Sequence, residues 1–582
     1  MNRRTLSLTA LAVLAAISLT ACGGKASNNT AAPIAAGTPV KGGTYTVATV
    51  IDATFLNTIL NQDQFSNEVN AMIFDSLLNQ NDKMEWVPSL ATELPKTEDG
   101  GKKWTFKLRD GVKWQDGVDF SSADVKFTFA AILHPGYTGV RASGLTAIKG
   151  VTALRDGYKA VDADVTANKL TKEQGDQKKV AAWEAWKQSD AIQVPDKTSV
   201  IFLFDKPFAP AMANIAGRGI LPEHLLKDEV GAKMKDSKFN RNPVGTGRFS
   251  FVEWKANDRI VLKANDNWFG GRPNIDQYII RVFPDNNTAM AALEKGEIDR
   301  ADVAADQFDR FKNDVKNVNM IEYPTLNYRN ISLDQKNPLF TDKNVRYALA
   351  YAMDKETLVK QLLLGHGITA WSHGSPSRWD YSDKVMKFEY NKDKAKQLLD
   401  AAGWKPGPDG IRVKDGKKFS FDFYYVGSTK TEADAAQVIQ AAWKEVGVEA
   451  NLKSTDQPTL LDLSDAGNPN RKQPPAYLLG WNVGTEPDSY SIWACDGTFN
   501  DISYCNKQVD DLLNQGRAEL DQSKRAPIYA KLQEQLAADQ PYIWLWFPNK
   551  IVGLSKRMAG PIAGTPVGIE WNIEKWWIQP GK

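Results

Sequence analysis

Hydrophobic positions along this chain change period several times, and each change predicts an element. Trp104, Phe106 and Leu108 alternate with Thr105, Lys107 and Arg109, the two-residue period of a half-buried strand. Turn signals at Asp110-Gly111 and Asp116-Gly117 flank Val112 to Trp114, and Asp110-Gly111 is expected to close a hairpin. Ser121 or Ser122 then caps a helix carrying Val125, Phe129, Ile132 and Leu133. Residues 153–190 are charged and Ala-rich, with Trp183 and Trp186 on an expected surface helix. Val200 to Phe204 is a continuous apolar run and reads as a strand buried on both faces. Further strands are expected at Phe249 to Trp254, Ile260 to Leu262 and Tyr278 to Phe283. Beyond about residue 320 the period turns helical. Val345, Leu349 and Met353 continue into Leu358, Val359 and Leu362, stopped at Gly365. Ala395, Leu398 and Leu399 stop at Gly403; Val438, Ile439, Ala442, Trp443 and Val446 stop at Gly447. Val509, Leu512 and Leu513, then Ile528, Leu532 and Leu536, give two more helices.

The first segment has a different pattern. Arg3 and Arg4 precede a mostly apolar run from Leu6 to Leu19, too short to span a bilayer and arranged as a signal peptide over residues 1–21. It ends Leu19-Thr20-Ala21-Cys22-Gly23, which resembles a bacterial lipobox and makes Cys22 the expected lipid attachment site. Residues 22–40, rich in Gly, Ala, Ser and Asn, read as a flexible tether.

Composition narrows the class. The 582 residues carry 72 Lys+Arg against 70 Asp+Glu, a net charge of +2 that does not point to nucleic acid. The excess belongs to the signal segment, and the mature side chains balance at 70 against 70. Three cysteines exclude a disulfide scaffold; with Cys22 in the lipobox, Cys495 and Cys505 are expected to pair outside the cytoplasm, two buried thiols being the alternative. Four histidines argue against a multi-His metal enzyme. Tryptophan, at 18, outnumbers tyrosine, at 17. HExxH, GxSxG, a P-loop and a complete GxGxxG are all missing from the sequence.

Several blocks, in order, carry a family resemblance. WTFKLRDGVKWQDG at 104–117 and SSADVKFTF at 121–129 are followed by NPVGTGRFSFVEW at 242–254 and AALEKGEID at 291–299. PLFTDKNVRYALAYAMDKETLVKQLLLG occupies 338–365, YNKDKAKQLLDAAGW 390–404 and YCNKQVDDLL 504–513. Together they resemble family 5 extracellular solute-binding proteins, the peptide/nickel class that serves ATP-binding cassette (ABC) importers. Gly245 and Gly247 are expected to supply positive φ in a tight turn.

The resemblance implies an α/β, two-lobed periplasmic-binding-protein-like fold of the class II type, with a hinge and an extra domain. Lobe I would take 41–85, 214–320 and 548–582, the extra domain 86–213 and lobe II 321–547. It implies a monomeric, non-enzymatic protein without a cofactor that encloses a peptide between its lobes and docks on an ABC permease. The location would be extracytoplasmic, lipid-anchored to the cell membrane. Peptide-binding members carry, after Gly-Trp, an Asp that pairs with the peptide amine. Here Gly480-Trp481-Asn482-Val483-Gly484 puts Gly484 at that place, leaving Glu486 or Asp488 as substitutes. Trp481, Asn482, Tyr328, Asn330, Trp371 and Phe55 are further candidate ligand contacts. Two other readings stand beside this one. In the first the same scaffold holds an oligosaccharide, a metal chelate or haem, which the abundant Trp and missing Asp favour; the second, a secreted lipoprotein hydrolase, would need a nucleophile–base set that the sequence does not display.

Overall fold

In the computed structural model the described residues are 37–580 except 62, 469 and 470. The signal peptide, Cys22 and most of the expected tether lie outside them.

The organising element is the 14-residue strand Tyr542–Ser555. Its first half, Tyr-Ile-Trp-Leu-Trp-Phe, is apolar at every position and buried throughout, so it shows neither a strand nor a helix period and the sequence pattern leaves it unassigned. Tyr542 to Trp546 pair antiparallel with Tyr328–Leu333, whereas Asn549 to Ser555 pair antiparallel with Val318–Pro324. The chain therefore crosses twice at the same level, at residues 325–327 and near 548. On one side the sheet continues through Ala476–Trp481, Ser420–Val426 and Glu449–Thr455; on the other through Arg300–Asp302, Thr44–Thr49, Gln277–Val282, Arg259–Ala264 and Phe249–Lys255.

The buried clusters separate at the same places. Two are built only from residues 328–547, and two from residues 45–323 and 551–576. They define a second and a first lobe. A four-stranded antiparallel sheet (Lys96–Glu98, Lys103–Lys107, Ser199–Leu203 and Ile192–Asp196) adds an accessory layer whose core is continuous with the first lobe's.

Local chemistry explains most elements. Ser121 caps Ser122–Ile132, and Asp124 returns a bond to the Ser121 amide, a complete capping box. Gly365, Gly403 and Gly447 follow their helices at positive φ. The tryptophan surplus is core: Trp114, Trp443, Trp493, Trp544, Trp546 and Trp576 are all fully buried, each contributing roughly 2–3 kcal/mol by apolar transfer.

Four expectations change. The hairpin after Leu108 turns at Asp116-Gly117, where the Trp114 amide donates to Val118 and the Phe120 amide to Val112. Residues 151–187 form two helices, Val151–Thr166 and Lys172–Lys187, and Trp183 and Trp186 are their buried anchors, donating Nε1–H to Ala130 and Lys149 carbonyls. Val438 is 44% exposed, because Ala435, Ile439 and Trp443 define the buried face of Lys430–Lys444 and position 438 is turned away from it. Gly245 and Gly247 do not have positive φ; a Cβ on Gly245 would lie 1.8 Å from the Ile73 carbonyl oxygen, so close backbone approach requires the glycine.

Candidate functional site

The lobes meet across a cleft and touch beside it. Thr485 Oγ1 donates to Gln80 Oε1 (2.8 Å), the Ala209 amide donates to the Arg517 carbonyl (2.8 Å), and Leu520 packs on the first lobe's core.

Two cavities lie in the cleft, and Arg141 lines both. The first, about 730 Å³, has the helix Gln64–Ile73 and the crossing residues 325–327 on one side and Asn482 to Gly484 on the other. Its charges are mostly matched. Arg300 pairs with Glu570 (2.7 Å), to which Tyr45 and Tyr278 also donate. Arg248 pairs with Glu574 (2.8 Å), and Lys550 with Asp302. Glu68 differs: it accepts from Gln64 Nε2 (3.1 Å) but has no ion pair among the described residues. The second cavity, about 700 Å³, lies between Arg141, Arg155, Lys206 and Arg218 on the first-lobe side and Asp488, Tyr490 and Arg517 on the second.

Buried hydrogen-bond donors without a protein acceptor collect here. Arg141, Arg248 and Arg300 Nε and Trp571 Nε1 belong to residues lining the first cavity; Arg218 Nε belongs to one lining the second. Buried donors are ordinarily paired, so a cluster of them marks a surface suited to an acceptor-rich ligand.

The residues singled out from sequence are spread unevenly around this cleft. Asn482 lines the first cavity and Asp488 the second. Trp481 lies behind them against the second-lobe core, its Nε1 donating to the Tyr542 hydroxyl (3.3 Å). Glu486 and Asp488 are already matched within their own lobe, Glu486 with Arg525 (2.5 Å) and Asp488 with Arg517 (3.3 Å). Burial, and only secondarily Glu486, pushes the Asp488 carboxyl up to about 6 against the pull of Arg517. Tyr328 and Asn330 are each 1% exposed and hold the strand they belong to, with Asn330 Nδ2 donating to Ser332 Oγ (3.0 Å); neither faces a cleft cavity. Trp371 packs on the second-lobe core under the Lys355 ammonium, 3.9 Å from the ring centre. Phe55 lines a separate cavity of about 320 Å³. Cys495 and Cys505 are joined by a disulfide, which closes the loop whose Phe499 packs beside Trp481.

Glu68, Arg141, Arg218 and Trp571 were not legible as site residues, since no local motif marks them. The stacking argument for a sugar loses its footing, because Trp571 is the one tryptophan lining either cleft cavity. Among the described residues no cluster of three His, Cys, Asp or Glu is placed to hold a metal ion, and no helix is long and apolar enough to cross a membrane.

The comparisons with known proteins agree with one another. Residues 85–502 match the family model described as "Bacterial extracellular solute-binding proteins, family 5 Middle". The chain is 33% identical over 592 residues to the oligopeptide-binding protein AppA of Bacillus subtilis, covering 99% of this chain and all of that one. The structure of that Bacillus subtilis protein in complex with a nonapeptide superposes with a TM-score of 0.76 at 31% identity, covering 93% of this chain and 100% of the other. NikZ of Campylobacter jejuni, in complex with Ni(L-His), gives 0.73 at 25% identity over 92% of this chain and 99% of that one. Two lobes around one large sheet, a cleft at the double crossing and these matches lead to one assignment: the chain belongs to the bacterial extracellular solute-binding proteins of family 5.

Proposed function

We propose that this protein captures peptides in the cleft between its lobes, outside the cytoplasm, and delivers them to the permease of an ABC importer. The observation that carries the reading is the set of buried, acceptor-less donors around the two cleft cavities, because an extended peptide presents a row of carbonyl oxygens and a carboxylate. Similarity to an oligopeptide-binding protein over nearly the whole of both chains supports it. Closure around the ligand is favoured only to the extent that the ligand binds the closed state better, and contacts from both walls of the cavities provide that difference. Lipidation of Cys22 would hold a monomer near its permease; two acyl chains suffice for stable anchoring where one does not. The lobes would divide at 41–85, 214–320 and 548–582 for lobe I and 321–547 for lobe II, with 86–213 as the extra domain. Asn482 is the sequence-marked residue placed to contact peptide in the first cavity, and Asp488 borders the second.

The test is native mass spectrometry of the protein purified from cells, followed by melting-temperature measurements with peptides. Co-purified peptide and a peptide-induced rise in Tm, through binding to the native state, are the expected results. A rise with a sugar or a metal chelate and none with any peptide rejects the reading.

A further inference from the structure

The second cavity has an unbalanced charge. Arg141, Arg155, Lys159, Lys206, Arg218 and Arg517 line it with only three acids, Asp156, Asp488 and Asp496. Asp156 pairs with Lys159 (3.1 Å), Asp488 pairs with Arg517 (3.3 Å), and Asp496 accepts a hydrogen bond from Tyr490. Arg141, Arg155, Lys206 and Arg218 are left without a carboxylate partner among the described residues. The first cavity differs: Arg248, Arg300 and Lys550 are each paired, and besides Arg141, which it shares with the second, its unpaired charge is the carboxylate of Glu68.

Arg141 and Arg218 are the pair that matters, because each holds a buried Nε without an acceptor and has no carboxylate partner among the described residues. Arg141 donates Nη2–H to the Asn61 carbonyl (2.9 Å) and its backbone amide to the Tyr137 hydroxyl (3.3 Å), which itself donates to Ile59 (2.6 Å). That scaffold fixes the guanidinium while leaving Nε buried and unpartnered. Arg218 follows the short turn Met212–Ala216, and its side chain makes no protein hydrogen bond among the described residues; Nε is again buried. Burial, and then the like charge of Arg141, brings its pKa down to about 10. Two desolvated guanidinium groups that repel each other are costly unless something negative lies between them. A guanidinium is also the group whose planar fork fits a carboxylate.

We propose that Arg141 and Arg218 form a carboxylate subsite at the junction of the two cavities, which takes either the C-terminal carboxylate of a bound peptide or an acidic side chain near that end. The inference rests on the reading of the cleft as a peptide site and adds a polarity to it. The carboxylate end lies in the second cavity, and the unpaired Glu68 lies toward the amine end.

The experiment compares three sets of nonapeptides with randomised central positions: free C-terminal carboxylate, C-terminal amide, and C-terminal amide with one Glu in the last three positions. Affinity for the full mature protein is read by calorimetry. Wild type is expected to bind the free acid at least tenfold more tightly than the neutral amide. In Arg141→Gln combined with Arg218→Gln that preference disappears and acid and neutral amide bind alike, and a wild-type circular-dichroism spectrum with a cooperative melt shows that the variant is folded. Recovery of affinity by the Glu-containing amide assigns the subsite to acidic side chains; its failure to recover assigns it to the C-terminus. Equal wild-type binding of all three sets overturns the subsite and leaves the peptide reading standing. No binding by any of the three sets overturns both.

Discussion

Arg378 and Arg525 in the second lobe and Arg141 and Arg218 on the first-lobe face of the cleft are held in opposite ways. In the second lobe Arg378 and Arg525 each have a carboxylate within reach. Arg378 and Asp380 form a fork with side chains 3% and 0% exposed, braced by Gln533, and Arg525 pairs with Glu486 beside Tyr529. On the first-lobe face of the cleft, Arg141 and Arg218 are desolvated without one. Matched pairs fix a loop in place; unmatched charges await a partner from outside. The difference separates charge that holds the fold from charge that meets a ligand, and neighbouring residues of the same type fall on either side of it.

If that distinction is right, breaking a matched pair is severe. Asp380→Ala strands Arg378 in a dry interior and removes an acceptor of Gln533, so a loss of about 3–5 kcal/mol is expected in urea unfolding. A loss below ~1 kcal/mol would mean that the pair is as dispensable as an exposed one. Glu486→Gln keeps the shape but weakens two charge-assisted bonds to Arg525, for about 1.5–3 kcal/mol. Its peptide affinity should change little, since Glu486 is turned toward its own lobe; a large affinity loss at unchanged stability would move Glu486 to the ligand side.

What the sequence makes legible follows from how local the cause is. The capping box at Ser121, the glycine stops at 365, 403 and 447 and the alternation at Trp104 to Leu108 are written within a few residues, and the structure contains them. Gly245 was marked as special for the wrong reason, because its constraint is Ile73, far away in the chain. The central strand hid behind an unbroken apolar run. The site is less legible still. Whether an arginine is matched depends on partners such as Glu486 for Arg525, 39 residues away, or Glu570 for Arg300, 270 away, and no window of sequence contains both. Family motifs mark the scaffold, so they recover the lobes and miss Glu68, Arg141 and Arg218.

Asp488 tests an intermediate case, a matched acid at the cavity wall. Burial raises its folded-state pKa to about 6, above the unfolded value near 3.9. The folded protein therefore holds this proton more tightly than the unfolded chain does. The associated stability is fully present below about pH 4 and is lost as pH rises through about 6. Asp488→Asn removes the dependence. Relative to wild type the variant should gain of order 2 kcal/mol between pH 4 and pH 7, read from unfolding midpoints at the two values. The change between pH values is the check, because the variant also weakens the pairing of Arg517 by a pH-independent amount. A parallel pH response of the two proteins would show that Arg517 cancels the effect of burial.

The smallest effect discriminates best. Arg218→Met replaces an unmatched guanidinium by an apolar chain of similar reach. For Arg378 or Arg525 the same change would strand a carboxylate. At Arg218 no carboxylate is present to strand, and the variant also relieves repulsion of Arg141. Hydrophobic replacement of buried charge is often neutral or stabilising, so the expected change is between zero and a gain of about 1 kcal/mol, seen as an unchanged or slightly higher Tm without peptide. In the presence of a free-acid peptide the order should invert, since wild type then gains binding energy that the variant lacks. A variant clearly less stable than wild type without ligand would place Arg218 among the arginines that hold the fold, and the contrast between the two lobes would be lost.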